Sequence, residues 1–175
     1  MPRRDDAAFA DFATARFAAL HRSAYLIVAD EQLAQDLVQE ALAKTYVALP
    51  RLREVGNLEA YARRVVATTA ITWFRRKGWN NETATEHLPD LVGPAPTEEV
   101  AQREWLWQAL RELPIRQRTA IVLRYYEDLT EAQTAHAMGC ATGTVKSQVS
   151  AGLRTLRKRL GDDVALVAEL EGASA

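Results

Sequence analysis

Apolar side chains recur at three- and four-residue steps through most of the chain, the period of helices that bury one face. From Asp6 onward, Phe9, Ala13, Phe17, Leu20, Ala24 and Ile27 predict a first helix with that row as its core stripe. Asp30 is placed to cap a second helix, which turns Leu33, Leu37 and Ala41 inward and ends at Leu49 and Pro50. Asn57 is expected to cap a third, running through Tyr61, Val65 and Thr69 to Arg75, Arg76 and Lys77. The period is lost over residues 78–97, where Pro89, Pro94 and Pro96 fall. It returns in a helix starting at Thr97, with Leu106, Trp107, Leu110 and Leu113 as its stripe. Pro114 suits the first position of the next helix, which carries Ile115, Val122 and Tyr126 until Glu127, Asp128 and Leu129 break the pattern.

The most specific signal follows that break. Thr130 and Gln133 have the spacing of a capping box, Ala135 and Met138 give a short apolar face, and Gly139 allows a tight turn. A second helix then carries Val145, Val149, Leu153, Leu156 and Leu160 in steps of three and four. This is a helix-turn-helix pattern. Its second helix turns Thr144, Lys146, Ser147, Gln148 and Ser150 outward near its start, types that hydrogen-bond base edges in a major groove. Arg154, Arg157, Lys158 and Arg159 follow, placed to neutralise phosphates.

Composition agrees with helices: 31 of 175 residues are Ala, whereas Gly and Pro together number 14. The expected fold class is therefore all-α, with two small helical domains joined by a flexible acidic linker. One cysteine excludes a disulfide within the chain and any multi-cysteine zinc site, and fits a reducing cytoplasm. No apolar run approaches the roughly 18 residues of a membrane span, so neither a membrane association nor secretion is expected. The net charge of −1, taken as a sum, speaks against a nucleic-acid partner, but it conceals an arrangement. Residues 1–77 carry +3, 78–97 carry −3, 98–160 carry +3 and 161–175 carry −4. Two mildly basic modules are thus separated by an acidic connector and followed by an acidic tail, whose helical spacing ends in Gly172, Ala173, Ser174 and Ala175.

Two surface patterns remain open at this level. Asp36, Gln39 and Glu40 share one outer helix face, which reads either as solvated surface or as an acidic docking patch. Arg64, Thr68, Thr72 and Arg75 fall on one side of the third helix beside Trp73 and Phe74. Cations interleaved with rings suit a single nucleic-acid strand, each base stack being worth roughly 1–3 kcal/mol. The other reading makes the rings core residues and the basic run a helix end favoured by the dipole. His21, His87 and His136 lack metal-ligand spacing, Cys140 has no evident base, and no phosphate-binding loop occurs, so no catalytic residue, metal or cofactor is expected.

These residues resemble the extracytoplasmic-function group of bacterial RNA polymerase sigma factors, in particular the actinobacterial SigE-type subfamily. The resemblance spans roughly residues 9–160. Asp36 to Leu42 (DLVQEAL) is similar to region 2.2, and Ala60 to Arg76 (AYARRVVATTAITWFRR) to regions 2.3 and 2.4. Leu113 to Tyr126 and Gly143 to Gln148 (GTVKSQ) resemble region 4.

By that resemblance, residues 1–77 are region 2, 78–97 the linker, 98–160 region 4 and 161–175 an acidic tail. Asp36, Gln39 and Glu40 would meet core RNA polymerase, on its β′ subunit. Arg63, Arg64, Thr68, Thr72, Trp73, Arg75 and Arg76 would meet the single-stranded −10 element. Gly143, Thr144, Lys146, Ser147, Gln148, Ser150 and Arg154 would meet the −35 duplex. The implied partners are core RNA polymerase through β′ and β, promoter DNA, and where one exists an anti-sigma factor, in the cytoplasm. Thr68 stands where relatives usually have Asn, and Ala151 where they often have Arg.

The alternative is a LuxR-type helix-turn-helix regulator that acts without sigma activity. A flexible 20-residue coil spans roughly 25 Å, less than the ~34 Å of one DNA turn. The linker must therefore stretch on a promoter, and the free protein is expected to be more compact than the bound one.

Overall fold

The structure, a computed structural model, describes residues 4–52, 55–78 and 98–161. Apart from Gly78 and Gly161, the expected linker and acidic tail lie outside the described residues. Every element within them is helical.

Helix α1 (Arg4–Val28), α2 (Glu31–Ala48) and α3 (Val55–Arg76) form the first unit. Asp30 caps α2, its carboxylate accepting the Leu33 N–H at 2.7 Å, and Pro50 closes the helix in a 3₁₀ turn over Leu49–Arg51. Leu20, Ala24 and Ile27 of α1, Leu37, Val38 and Ala41 of α2, and Val65, Val66 and Phe74 of α3 share one core. Two sequence expectations shift. The buried ring in the first half of α1 is Phe12, whereas Phe17 is exposed and stacks on His21, because no neighbouring helix covers it. Asn57 lies inside the first turn of α3 and is not its cap, since the helix already begins at Val55.

Helix α4 (Glu98–Arg111), α5 (Ile115–Ile121), α6 (Glu131–Met138) and α7 (Thr142–Leu160) form the second unit. Pro114 is the residue before α5 and not its first, with ψ 144 outside the helical range. Past α5 the backbone widens into a π turn over Val122–Tyr126, closed by the Glu127 N–H donating to Val122 O at 3.0 Å. Asp128 then takes φ +54, in the left-handed region that short polar side chains tolerate. The capping box starts α6 as expected, with Gln133 N–H donating to Thr130 Oγ1 at 3.1 Å and Thr130 N–H to Gln133 Oε1 at 2.9 Å. Gly139, at φ +64, turns the chain into α7. Leu153, Leu156 and Leu160 of α7 pack on Ala109 of α4, on Leu113 just beyond it and on Ile121 of α5.

The two units are in direct contact. Ala67 and Ile71 of α3 share a core with Ala120, Leu123, Ala135 and Met138 of the second unit. Val122 enters the core of the first. Trp107 of α4 lies against the Tyr25 ring of α1, centroids 6.1 Å apart, and Arg111 donates to the Tyr25 hydroxyl at 3.2 Å.

Candidate nucleic-acid interface

Helix α7 carries the clearest outward row. Gly143, Ser147, Ser150 and Arg154 fall at steps of four, three and four, which places them on one face, and all four are exposed. Lys146 is exposed beside them and pairs with Glu131 of α6 at 3.5 Å, while Thr144 and Gln148 are half-buried at the row's edges. Ser147 Oγ donates to Gly143 O at 2.9 Å, a bond that its hydroxyl can exchange for a base or phosphate acceptor. Nothing lies within 4 Å of the place a Cβ would take on Gly143, so a backbone or phosphate has open approach there. Ala141 precedes this 19-residue helix without a side-chain cap. Behind this face, Val145, Leu153 and Leu156 are buried, so core packing fixes its orientation.

The face on α3 has a different setting. Arg75 and Arg76 are exposed at the helix end, and Thr72 and Trp73 are half-buried. Trp73 meets Phe74 edge to face at 5.0 Å, with Lys77 Nζ 5.4 Å from its ring centroid. Phe74 is a core residue at 6% exposure, which decides its role in favour of packing. Further back along α3, Arg63, Arg64 and Thr68 all face the second unit. Arg63 donates to Glu127 Oε2 from Nε at 3.2 Å and from Nη2 at 3.1 Å, and to Glu59 at 3.1 Å. Arg64 donates to the His136 carbonyl at 3.0 Å. The Thr68 hydroxyl donates to Arg64 O at 2.7 Å, and its methyl lies beside Gly139.

On α2, Asp36, Gln39 and Glu40 are exposed together. Asp36 accepts from Gln32 Nε2 at 3.0 Å, and Glu40 pairs with Lys44 at 2.5 Å, both within the helix and at solvent. Val47, 79% exposed, continues the line of Asp36, Glu40 and Ala43 by one turn. Sequence reading passed over it. The available signal was a large apolar side chain seven residues beyond Glu40 on an otherwise polar face. It also passed over Glu127, whose partners lie more than sixty residues away in sequence.

No group of three or more potential metal ligands occurs among the described residues, and none of the helices searched there is long and apolar enough to cross a membrane.

A helix-turn-helix unit with an outward polar and basic row, joined to a three-helix unit with an exposed acidic face, defines a two-module DNA-binding class. Comparison with known proteins narrows the class. The family described as Sigma-70 region 2 matches residues 15–80, and the family described as Sigma-70, region 4 matches residues 103–156. The RNA polymerase sigma-E factor of Streptomyces coelicolor is 38% identical over 152 residues, 87% of this chain and 85% of that protein. The ECF RNA polymerase sigma factor SigW of Bacillus subtilis is 28% identical, over 90% of this chain and 91% of the relative. Among solved structures, the sigma factor RpoE of Bartonella quintana, crystallised with the anti-sigma factor NepR, matches with TM-score 0.65 at 27% identity. That match covers 87% of this chain and 98% of the other. The chain belongs to the extracytoplasmic-function group of RNA polymerase sigma factors, and within it to the SigE type. Its function is to direct transcription initiation at promoters, and the LuxR-type alternative is not favoured.

Proposed function

We infer that this sigma factor works through three separate faces. The exposed row on α7, with Gly143, Thr144, Lys146, Ser147, Gln148, Ser150 and Arg154, reads the −35 duplex. Arg63, Arg64, Thr68, Thr72, Trp73, Arg75 and Arg76 on α3 take the −10 strand, cations on phosphates and Trp73 against a base. Asp36, Gln39 and Glu40, extended by Val47, dock on core RNA polymerase at its β′ subunit, and region 4 lies against β. The observation that carries the reading is the contrast of exposed faces on one chain, acidic on α2 and polar to basic on α7. A protein that binds a basic protein and an acidic duplex together needs that pair of faces.

The boundaries that go with this reading are region 2 over 1–77, a linker over 78–97, region 4 over 98–160 and an acidic tail over 161–175. The protein acts in the cytoplasm as a subunit without a catalytic site, cofactor or metal of its own, polymerisation chemistry belonging to its partner. The anti-sigma factor held by the Bartonella relative supports a protein antagonist of that kind for this chain also.

Run-off transcription tests the whole. Core polymerase with this protein is expected to initiate at promoters selected from a random DNA library, and core alone is not. Asp36→Lys with Glu40→Lys should abolish that gain by preventing core binding. Arg154→Ala should weaken initiation while leaving core binding intact. No initiation on any promoter, together with no stable core complex, would refute the reading.

A further inference from the structure

We propose that Glu127 is an intramolecular latch, a carboxylate of region 4 that occupies the strand-reading arginine of region 2 and holds the free chain closed. The proposal rests on α3 being the −10 reading helix, as argued above.

The turn before the helix-turn-helix is shaped to project this residue. The π turn at Val122–Tyr126 and the left-handed Asp128 carry Glu127 off the surface of its own unit and into the other. π turns concentrate at functional positions. There both carboxylate oxygens are used: Oε2 takes the fork from Arg63 Nε and Nη2, and Oε1 takes the hydroxyl of Ser23 on α1. The side chains of Arg63 and Glu127 are only 17% and 15% exposed, so water screens the pair weakly. A guanidinium fork on a half-buried carboxylate is the geometry of a guanidinium on a phosphate. Glu127 thus stands where a strand phosphate would bind. Two further contacts close the same face, Arg64 on the His136 carbonyl and Gly139 beside Thr68.

The closure is selective. It covers Arg63, Arg64 and Thr68 but leaves Asp36, Gln39 and Glu40 on α2 and the exposed row of α7 outside. A closed chain can therefore reach core polymerase and a duplex, but it cannot accept a single strand along the whole of α3. Opening must therefore precede strand capture, and the chain alone is kept from capturing stray single strands.

Two measurements on the full-length chain without polymerase test this. The probe is a short fluorescent single-stranded DNA of mixed sequence, and size is read by small-angle scattering. Glu127→Gln is expected to enlarge the particle and to tighten strand binding by about fivefold or more, the lower range for coupled equilibria. Asp128→Asn makes the same charge change on the neighbouring exposed carboxylate and should alter neither. The double variant Arg63→Glu with Glu127→Arg restores the pair in reverse and should be as compact as wild type. Unchanged size and affinity in Glu127→Gln, or an equal gain in Asp128→Asn, would overturn the latch. Loss of −10 strand binding by the Arg63→Ala holoenzyme is a separate check on the reading of α3, so the two can fail independently.

Discussion

Arg118 and Glu127 show two ways in which a charge taken out of water is settled. Glu127 meets a guanidinium and a hydroxyl. Arg118, 4% exposed, has the Arg111 carbonyl at 3.1 Å and the Phe74 ring at 5.6 Å, while its Nε has no hydrogen-bond partner. Burial, and then the charge of Arg111, lowers its pKa from the usual guanidinium value to about 10. The unfolded chain therefore holds this proton more tightly from about pH 10 upward, and stability from this group rises with pH only there. Below that range the group is charged in both states. The stability difference between wild type and Arg118→Met, from urea unfolding, is thus expected to be the same at pH 6 and pH 9. Gly152 makes a different demand. A Cβ there would sit 2.5 Å from Ile121 Cδ1, where α7 crosses α5 inside a packed core. Gly152→Ala should cost about 1–3 kcal/mol by the same measurement, as overpacking does.

At the scale of elements, the helix-turn-helix was legible because each part has a local chemical signature. The capping box, Gly139 and the Val and Leu row all depend on residues within four positions of one another. Thr130→Ala is expected to lower stability by about 1 kcal/mol through loss of the cap on α6. On α7, Arg154→Ala should reduce the slope of log affinity against log salt by about 1 on −35 duplex DNA. Ser147→Ala should leave that slope unchanged and alter sequence preference, because a hydroxyl carries no counterion to release. The π turn was not legible. Its i to i−5 bond has no residue signature, and the stretch from Val122 to Tyr126 reads as ordinary helix until the backbone is seen to widen. The cap of α3 was misplaced for a related reason, since Asn57 has the right chemistry but helical backbone extends past it to Val55.

For the whole molecule, closure joins an apolar seam to half-buried polar contacts. Ala67 and Ile71 of α3 meet Ala120, Leu123 and Met138, and Val122 crosses into the other core. Apolar burial does not weaken with ionic strength, and an ion pair of about 15% exposure is screened far less than a surface pair. The free protein should therefore keep the same radius of gyration between about 0.1 M and 1 M salt. Expansion at high salt would mean that exposed charges hold the units together. The linker estimate leads to the expectation of a free chain more compact than the bound one, because a 20-residue coil is shorter than the promoter spacing it must cover. It did not say which surfaces would meet.

The sequence by itself determined the helices, the helix-turn-helix, the two-module order and the family, since period, caps and turn residues act over a few positions. It also placed the acidic row of α2 and the polar row of α7 on outward faces, because the apolar residues opposite them must go inward. Tertiary structure decided what the local pattern left open: Phe74 is core while Trp73 is half-buried at its edge, and three of the seven −10 candidates lie against region 4. The physical reason is distance along the chain. Arg63 and Glu127 are 64 residues apart, and only the packing of one unit on the other brings that charge pair together.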